Sequence, residues 1–190
     1  MKTDRIKKKL KASLPEKRYI HSLGVADTSK ALALRLGEDP EKAYLAGLLH
    51  DCAKGMSHEE MLSYARERHW EPDEVTLGAL QILHAPVSAL MAREEYGVTD
   101  PDVLDAIRYH TTGRAHMSML ERIVFASDLI EPSRDFDGVE DLRRLAREDF
   151  GSCVIACIDS SIRTVMDRGG LIHPDAVFAR NDLIAQRGGK

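Results

Sequence analysis

The sequence is poor in aromatic residues, with one Trp, four Phe and five Tyr among 190 residues. It shows no aromatic or basic stripe of the kind that tracks a nucleic-acid strand. Acids outnumber bases, 31 to 27, giving a formal charge of -4. That balance lacks the basic footprint of a nucleic-acid binder, and RNA processing is disfavoured. Three cysteines, an odd number without paired spacing, exclude a disulfide framework and suit a reducing compartment, so a cytoplasmic location is expected. No apolar run approaches the roughly 18 residues of a membrane span, and the N-terminus lacks a secretory pattern, so no membrane partner is expected. Alternating strand patterns, internal repeats, low-complexity tracts and linkers are also missing.

What remains reads as one all-α domain spanning 1–190. A hydrophobic content of 43% and a charged content of 31% describe an ordinary globular chain with a substantial core. The basic run Arg5, Lys7, Lys8, Lys9 and Lys11 surrounds Ile6 and Leu10 and suits a short surface helix. Glu16 to Leu36 predicts a long helix closed by Gly37. Asp39-Pro40 and Asp100-Pro101 are N-cap and first-turn signals. Gly55 is expected to end the helix that starts at Pro40, and Ser57 with Glu60 has capping-box spacing. Further helices are expected over Asp73–Leu83, from His84-Ala85-Pro86 to Gly97, and over Met117–Glu131. Val139–Glu148, Ser152–Arg168 and about Asp175–Gln186 complete the series. His58 and His69 read as solvent-exposed, His116 as a polar loop residue, and Cys153 and Cys157 as packing residues.

Against this background LAGLLHDCAK stands out. An apolar helix delivers His50 and Asp51 side by side, with Lys54 close behind. A buried, unpartnered carboxylate costs several kcal/mol or is neutralised, and a divalent cation removes that cost. The placement recurs: His21, His84, His110 and Asp128 also fall on, or at the ends of, apolar helix faces. Such groups meeting in a helical core need a cation or an anionic ligand to organise them. Imidazole with carboxylate suits Fe, Mn, Co or Zn.

The order H…HD…H…H…D resembles the HD-domain superfamily of metal-dependent phosphohydrolases. The segments HSLGVADTSKALA, HAPVSA, AIRYHTTG, ASDLIEPSRDF and LIHPDAVFARN, together with LAGLLHDCAK, resemble the bacterial YqeK family over about residues 17–183. Ala85 departs from the glycine usual there and adds a methyl beside the site. The resemblance implies an HD-type helical bundle with a buried metal site. It also implies a symmetrical bis(5'-nucleosyl)-tetraphosphatase that splits diadenosine tetraphosphate into two ADP. By the same resemblance His21, His50, Asp51 and Asp128 hold the metal, expected to be iron, as one or two ions. His84 and His110 face the phosphates or a second metal position. His21, Lys54, His84, His110, Asp128, Arg134 and the segment Gly170, Leu171, Ile172 and His173 then line the nucleotide site.

Phosphoanhydride hydrolysis needs a nucleophilic water, charge neutralisation and help for the leaving group. A divalent cation lowers the pKa of bound water and polarises a phosphoryl oxygen. Asp51 would ligate and orient, His84 and His110 would assist the leaving phosphate, and Lys54 and Arg134 would supply local positive charge. Each cation also has a plainer reading, Lys54 at a helix C-terminus and Arg134 paired with Asp135 or Asp137. No aromatic clamp for a base is evident, and a homodimer is compatible with the sequence. The competing readings are an HD phosphohydrolase of other specificity and a non-catalytic nucleotide-binding module.

Overall fold

The computed structural model describes residues 3–188, and among them all regular structure is helical. α1 (Thr3–Ser13) buries Ile6 and Leu10 and turns its lysines outward. α2 (Glu16–Leu36) ends at Gly37, whose φ of 78° is the left-handed C-cap and whose N–H donates to Ala33 O. α3 (Pro40–Leu49) starts from Asp39, whose side chain accepts the N–H groups of Glu41 and Lys42. α2 and α3 approach closely because position 47 is Gly. A Cβ there would stand 2.9 Å from Ala26 Cα and from Val25 O.

α3 stops at Leu49, earlier than Gly55 suggests. His50 is its C-cap and the chain turns through residues 50–55. α4 (His58–Arg66) carries the expected Ser57–Glu60 capping box. The helix expected over Asp73–Leu83 is instead split into α5 (Glu74–Gly78) and a 3-10 turn, Leu80–Ile82. Ala79, at φ -134° and ψ 59°, breaks it, and Leu171 seats against Gly78 where any Cβ would intrude.

α6 (His84–Tyr96) ends at Gly97, and α7 (Pro101–Arg108) is capped by Asp100. α8 (Met119–Ile130) has a second capping box, Ser118 with Glu121. α9 (Val139–Glu148) follows, and α10 (Phe150–Asp167) begins two residues before the expected Ser152, with Asp149 accepting the Ser152 N–H. α11 (Pro174–Gly188) closes the fold.

The buried apolar residues form one cluster drawing on helices from α1 to α11, with Cys153 and Cys157 inside it. α2 packs on α3 and α8, α7 on α3, α6 and α8, and α10 on α8, α9 and α11. The ends of α3, α6 and α7 are thereby brought against the inward faces of α2 and α8. His58 and His69 are exposed, as expected, and His116 lies exposed in a loop. Among the described residues no helix is long and apolar enough to cross a membrane.

Candidate metal centre

Six ionisable side chains from five helices converge on one point. His21 comes from the inner face of α2, His50 and Asp51 from the end of α3, and His84 from the first residue of α6. His110 follows α7 and Asp128 lies in the last turns of α8. All but Asp128 are buried, with His50 fully so. The ligand atoms of His21, His50 and Asp51 lie within 4.8 Å of one another. The same holds for His50, His110 and Asp128, and for Asp51, His84 and His110.

The hydrogen bonds behind the rings set their tautomers. Nδ1 of His50, His84 and His110 each stands 2.7 Å from a backbone carbonyl, of Gly47, Gln81 and Ile107 respectively. A carbonyl only accepts, so each Nδ1 carries the hydrogen, and in the neutral ring the Nε2 lone pair points inward. Burial pushes His50 and His84 down to about 4, so both are neutral near pH 7. Yet His50 Nε2 lies 3.2 Å from His21 Nε2, and His84 Nε2 lies 3.1 Å from His110 Nε2. Lone pairs turned on each other at that range repel unless a positive charge sits among them. The donor set therefore fits a divalent cation.

Asp51 divides its oxygens between the imidazoles. Oδ2 is 3.6 Å from His50 Nε2 and 3.9 Å from His21 Nε2, while Oδ1 is 3.2 Å from His84 Nε2 and 3.7 Å from His110 Nε2. Burial opposes its charge, but the surrounding imidazoles, His50 foremost, hold its carboxyl well below the usual range. Asp128 behaves alike. Burial pushes it up, and hydrogen bonding to His21 with the nearby Arg134 guanidinium outweighs that.

His21 is the exception among the four rings, because its Nδ1 meets the carboxylate Oε1 of Glu131 at 3.0 Å. Burial lowers His21, but Asp128 and Glu131 more than compensate and raise it. His21 Nε2 lies 2.9 Å from Asp128 Oδ1, so the ring and the carboxylate are placed to share a cation. Glu131 is itself fixed by the N–H of Ser133, at 2.8 Å, and by the Ser133 hydroxyl. Gly24 on α2 leaves room for it, since a Cβ there would run into Glu131 Oε2.

Comparison with known proteins bears on this geometry. The model of the HD domain family matches residues 18–133, which include all six converging side chains. The chain belongs to the HD domain family. It is 41% identical over 178 residues to the symmetrical bis(5'-nucleosyl)-tetraphosphatase of Halalkalibacterium halodurans, covering 94% of this chain and 95% of that one. It is 40% identical to the protein of the same name from Bacillus subtilis, covering 93% and 94%. A crystal structure from Clostridium acetobutylicum, described as a predicted HD superfamily hydrolase involved in NAD metabolism, superposes with a TM-score of 0.94. That pair is 41% identical, over 98% of both chains. The family resemblance read from the motifs thus holds along nearly the whole length.

The HD centre floors a cleft of about 410 Å³, in which His110, Asp128 and Arg134 adjoin Phe136 and hydroxyl residues of α10. Arg134 binds Asp128 twice, through Nε to the backbone carbonyl at 2.6 Å and through Nη2 to Oδ1. It does not take the alternative partners Asp135 or Asp137 among its described ion pairs. Half-buried Lys54 has its ammonium lowered by burial, against the attraction of Asp51. Arg18, which sequence reasoning did not single out, donates to Asp51 Oδ2 at 3.0 Å from one turn before His21.

Gly170, Leu171, Ile172 and His173 stand apart from the six ligand atoms. Leu171 covers Gly78, and His173 Nε2 is 3.1 Å from Asp73 Oδ2 in a second cleft that also contains Trp70 and Tyr109. Thr111 lines both clefts. Glu131 and Phe136 were also missed by sequence reasoning. The i, i+3 spacing of Asp128 and Glu131, and the position of Phe136 within IEPSRDF, were the only local signals for them.

Proposed function

We propose that the protein is a metal-dependent phosphoanhydride hydrolase that splits diadenosine tetraphosphate at its central linkage into two ADP. The observation that carries the reading is the cluster of inward Nε2 lone pairs and two ionised carboxylates, lying beneath a cleft edged by Arg134. The substrate follows from the near full-length similarity to two proteins named symmetrical tetraphosphatases.

His21, His50, Asp51 and Asp128 would hold the cation, with iron proposed as the native metal. The oxygens of Asp51 face two pairs of imidazoles, a donor set that accommodates one ion or two. A bound divalent cation supplies Lewis-acid polarisation and a lowered pKa for water. The chain's own groups supply the rest. Asp51, ionised, accepts a hydrogen bond from a water in the cleft and orients it. Arg134 offers a two-pronged grip on phosphoryl oxygens, and Lys54 a point charge, supplying the positive field that the overall -4 does not. Arg18, which pairs with Asp51, adds a third cation beside the cluster. His84 and His110, whose Nε2 lone pairs face inward, would ligate a second ion that neutralises charge on the departing phosphate. Gly170 to His173, beside Trp70, would meet a nucleoside. A cytoplasmic location and a homodimer complete the reading, the latter testable by light scattering.

The test is product identification. Protein loaded with Fe(II) or Mn(II) should convert the dinucleotide to ADP as the sole nucleotide product. AMP and ATP in equal amounts would contradict the symmetrical cut. Indifference to the dinucleotide with hydrolysis of a mononucleotide would reassign the substrate.

A further inference from the structure

A symmetrical cut leaves one nucleoside diphosphate on each side of the reacting phosphorus, so both halves of the substrate need a place. Two clefts meet at Thr111, which lines both. The one next to Trp70 and His173 has already been given a nucleoside. Only the other is floored by His110 and Asp128 of the metal cluster.

Resting on the tetraphosphatase reading, we propose that the cleft between Arg134 and α10 is a second nucleoside diphosphate subsite, with Phe136 as the platform for the base. The volume of about 410 Å³ falls within the range of small-molecule sites. Phe136 is one of nine large apolar side chains left exposed among the described residues, and the one that lies on the wall of this cleft. A base stacks on an aromatic face whatever its hydrogen-bonding edge. Opposite the loop that carries Phe136, Ser160, Ser161 and Thr164 present hydroxyls from neighbouring turns of α10, suited to a ribose. Arg134 from the loop and Arg168 from the end of α10 are the cations of the cleft lining, available to the phosphates. Phe136 would thus be a base-stacking residue of this reaction, and Arg168 a phosphate-binding one.

Calorimetric titration of the Mn(II)-loaded protein with ADP tests this without turnover. The wild-type chain should bind two ADP per chain, and Phe136→Ala should bind one, with Phe136→Trp restoring the second. Steady-state kinetics on the dinucleotide should show KM raised on the order of tenfold in Phe136→Ala, the scale of one lost stack. A single ADP on the wild-type chain would overturn the proposal, whether or not the dinucleotide is cleaved. So would an unaltered stoichiometry and KM in Phe136→Ala. Failure of the wild-type protein to cleave the dinucleotide while binding two ADP would instead count against the tetraphosphatase reading alone.

Discussion

The Nε2 atoms of His21 and His50, delivered by different helices, face each other at 3.2 Å. His50 is committed to this orientation by the carbonyl of Gly47 and His21 by Glu131, so neither ring can turn away without leaving a buried partner unpaired. Close packing of α2 on α3 at Gly47 sets the separation. A cation among these nitrogens would relieve the repulsion of lone pairs turned on each other.

Metal loading should therefore stabilise the fold. A ligand present at a hundredfold excess over its Kd adds about 2.7 kcal/mol, and a domain of this size gains roughly 2–4 °C per kcal/mol. Calorimetry with Mn(II) against a chelator should show the melting temperature rising by roughly 5–10 °C. His50→Ala should lose most of that increment, and equal melting temperatures with and without metal would argue against a bound cation.

Glu131 acts through His21. In Glu131→Gln the amide oxygen can still accept from Nδ1, so the packing stays while the charge behind the ring is lost. Removal of such a partner typically weakens metal binding by about 10–100-fold. Titration with a competing chelator should find a loss of that order with the circular dichroism spectrum unchanged. An unchanged affinity would reduce Glu131 to a space-filling residue.

Gly24 provides a complementary test. In an exposed helix interior, Gly→Ala stabilises by roughly 1 kcal/mol. At this site the new methyl would meet Oε2 of the Glu131 carboxylate, whose Oε1 is held by His21 and whose Oε2 accepts the Ser133 N–H. Urea denaturation of Gly24→Ala should instead show a loss of about 1–3 kcal/mol, the range of overpacked cores. A gain would mean that Glu131 is free to move.

Asp73 gives a pH dependence away from the metal centre. Burial raises its carboxyl, but the Thr76 N–H, His173 and the Thr76 hydroxyl outweigh that and hold it at about 2. A folded value below the unfolded one of about 3.9 contributes stability that is present above that pH and lost as pH falls towards 2. Asp73→Asn keeps a capping side chain. Its melting temperature should therefore decline less between pH 4 and pH 2 than that of the wild type. Parallel declines would mean that the His173–Asp73 contact contributes nothing.

The sequence made legible whatever depends on near neighbours. Asp39-Pro40, Asp100-Pro101 and Ser57–Glu60 mark helix starts through bonds spanning only two or three residues. The metal cluster was legible for a different reason: an imidazole or carboxylate on an apolar helix face stands out without knowledge of the fold. Features decided by distant packing were not. The break between α5 and the 3-10 turn coincides with Leu171 seated on Gly78, 93 positions away in the chain. Glu131 could not be assigned to His21 from the sequence, because the contact spans 110 positions and needs the space left by Gly24. The placement of His173 against Asp73, in the second cleft, likewise depends on where α10 returns the chain.

The most direct test of the account is an anomalous-scattering map from crystals grown with Fe(II) under anaerobic conditions and recorded at the iron edge. The account predicts a peak enclosed by the Nε2 atoms of His21 and His50 and the carboxylates of Asp51 and Asp128. A map featureless at that point, or an ion bound elsewhere with these four side chains still paired to one another, would contradict it.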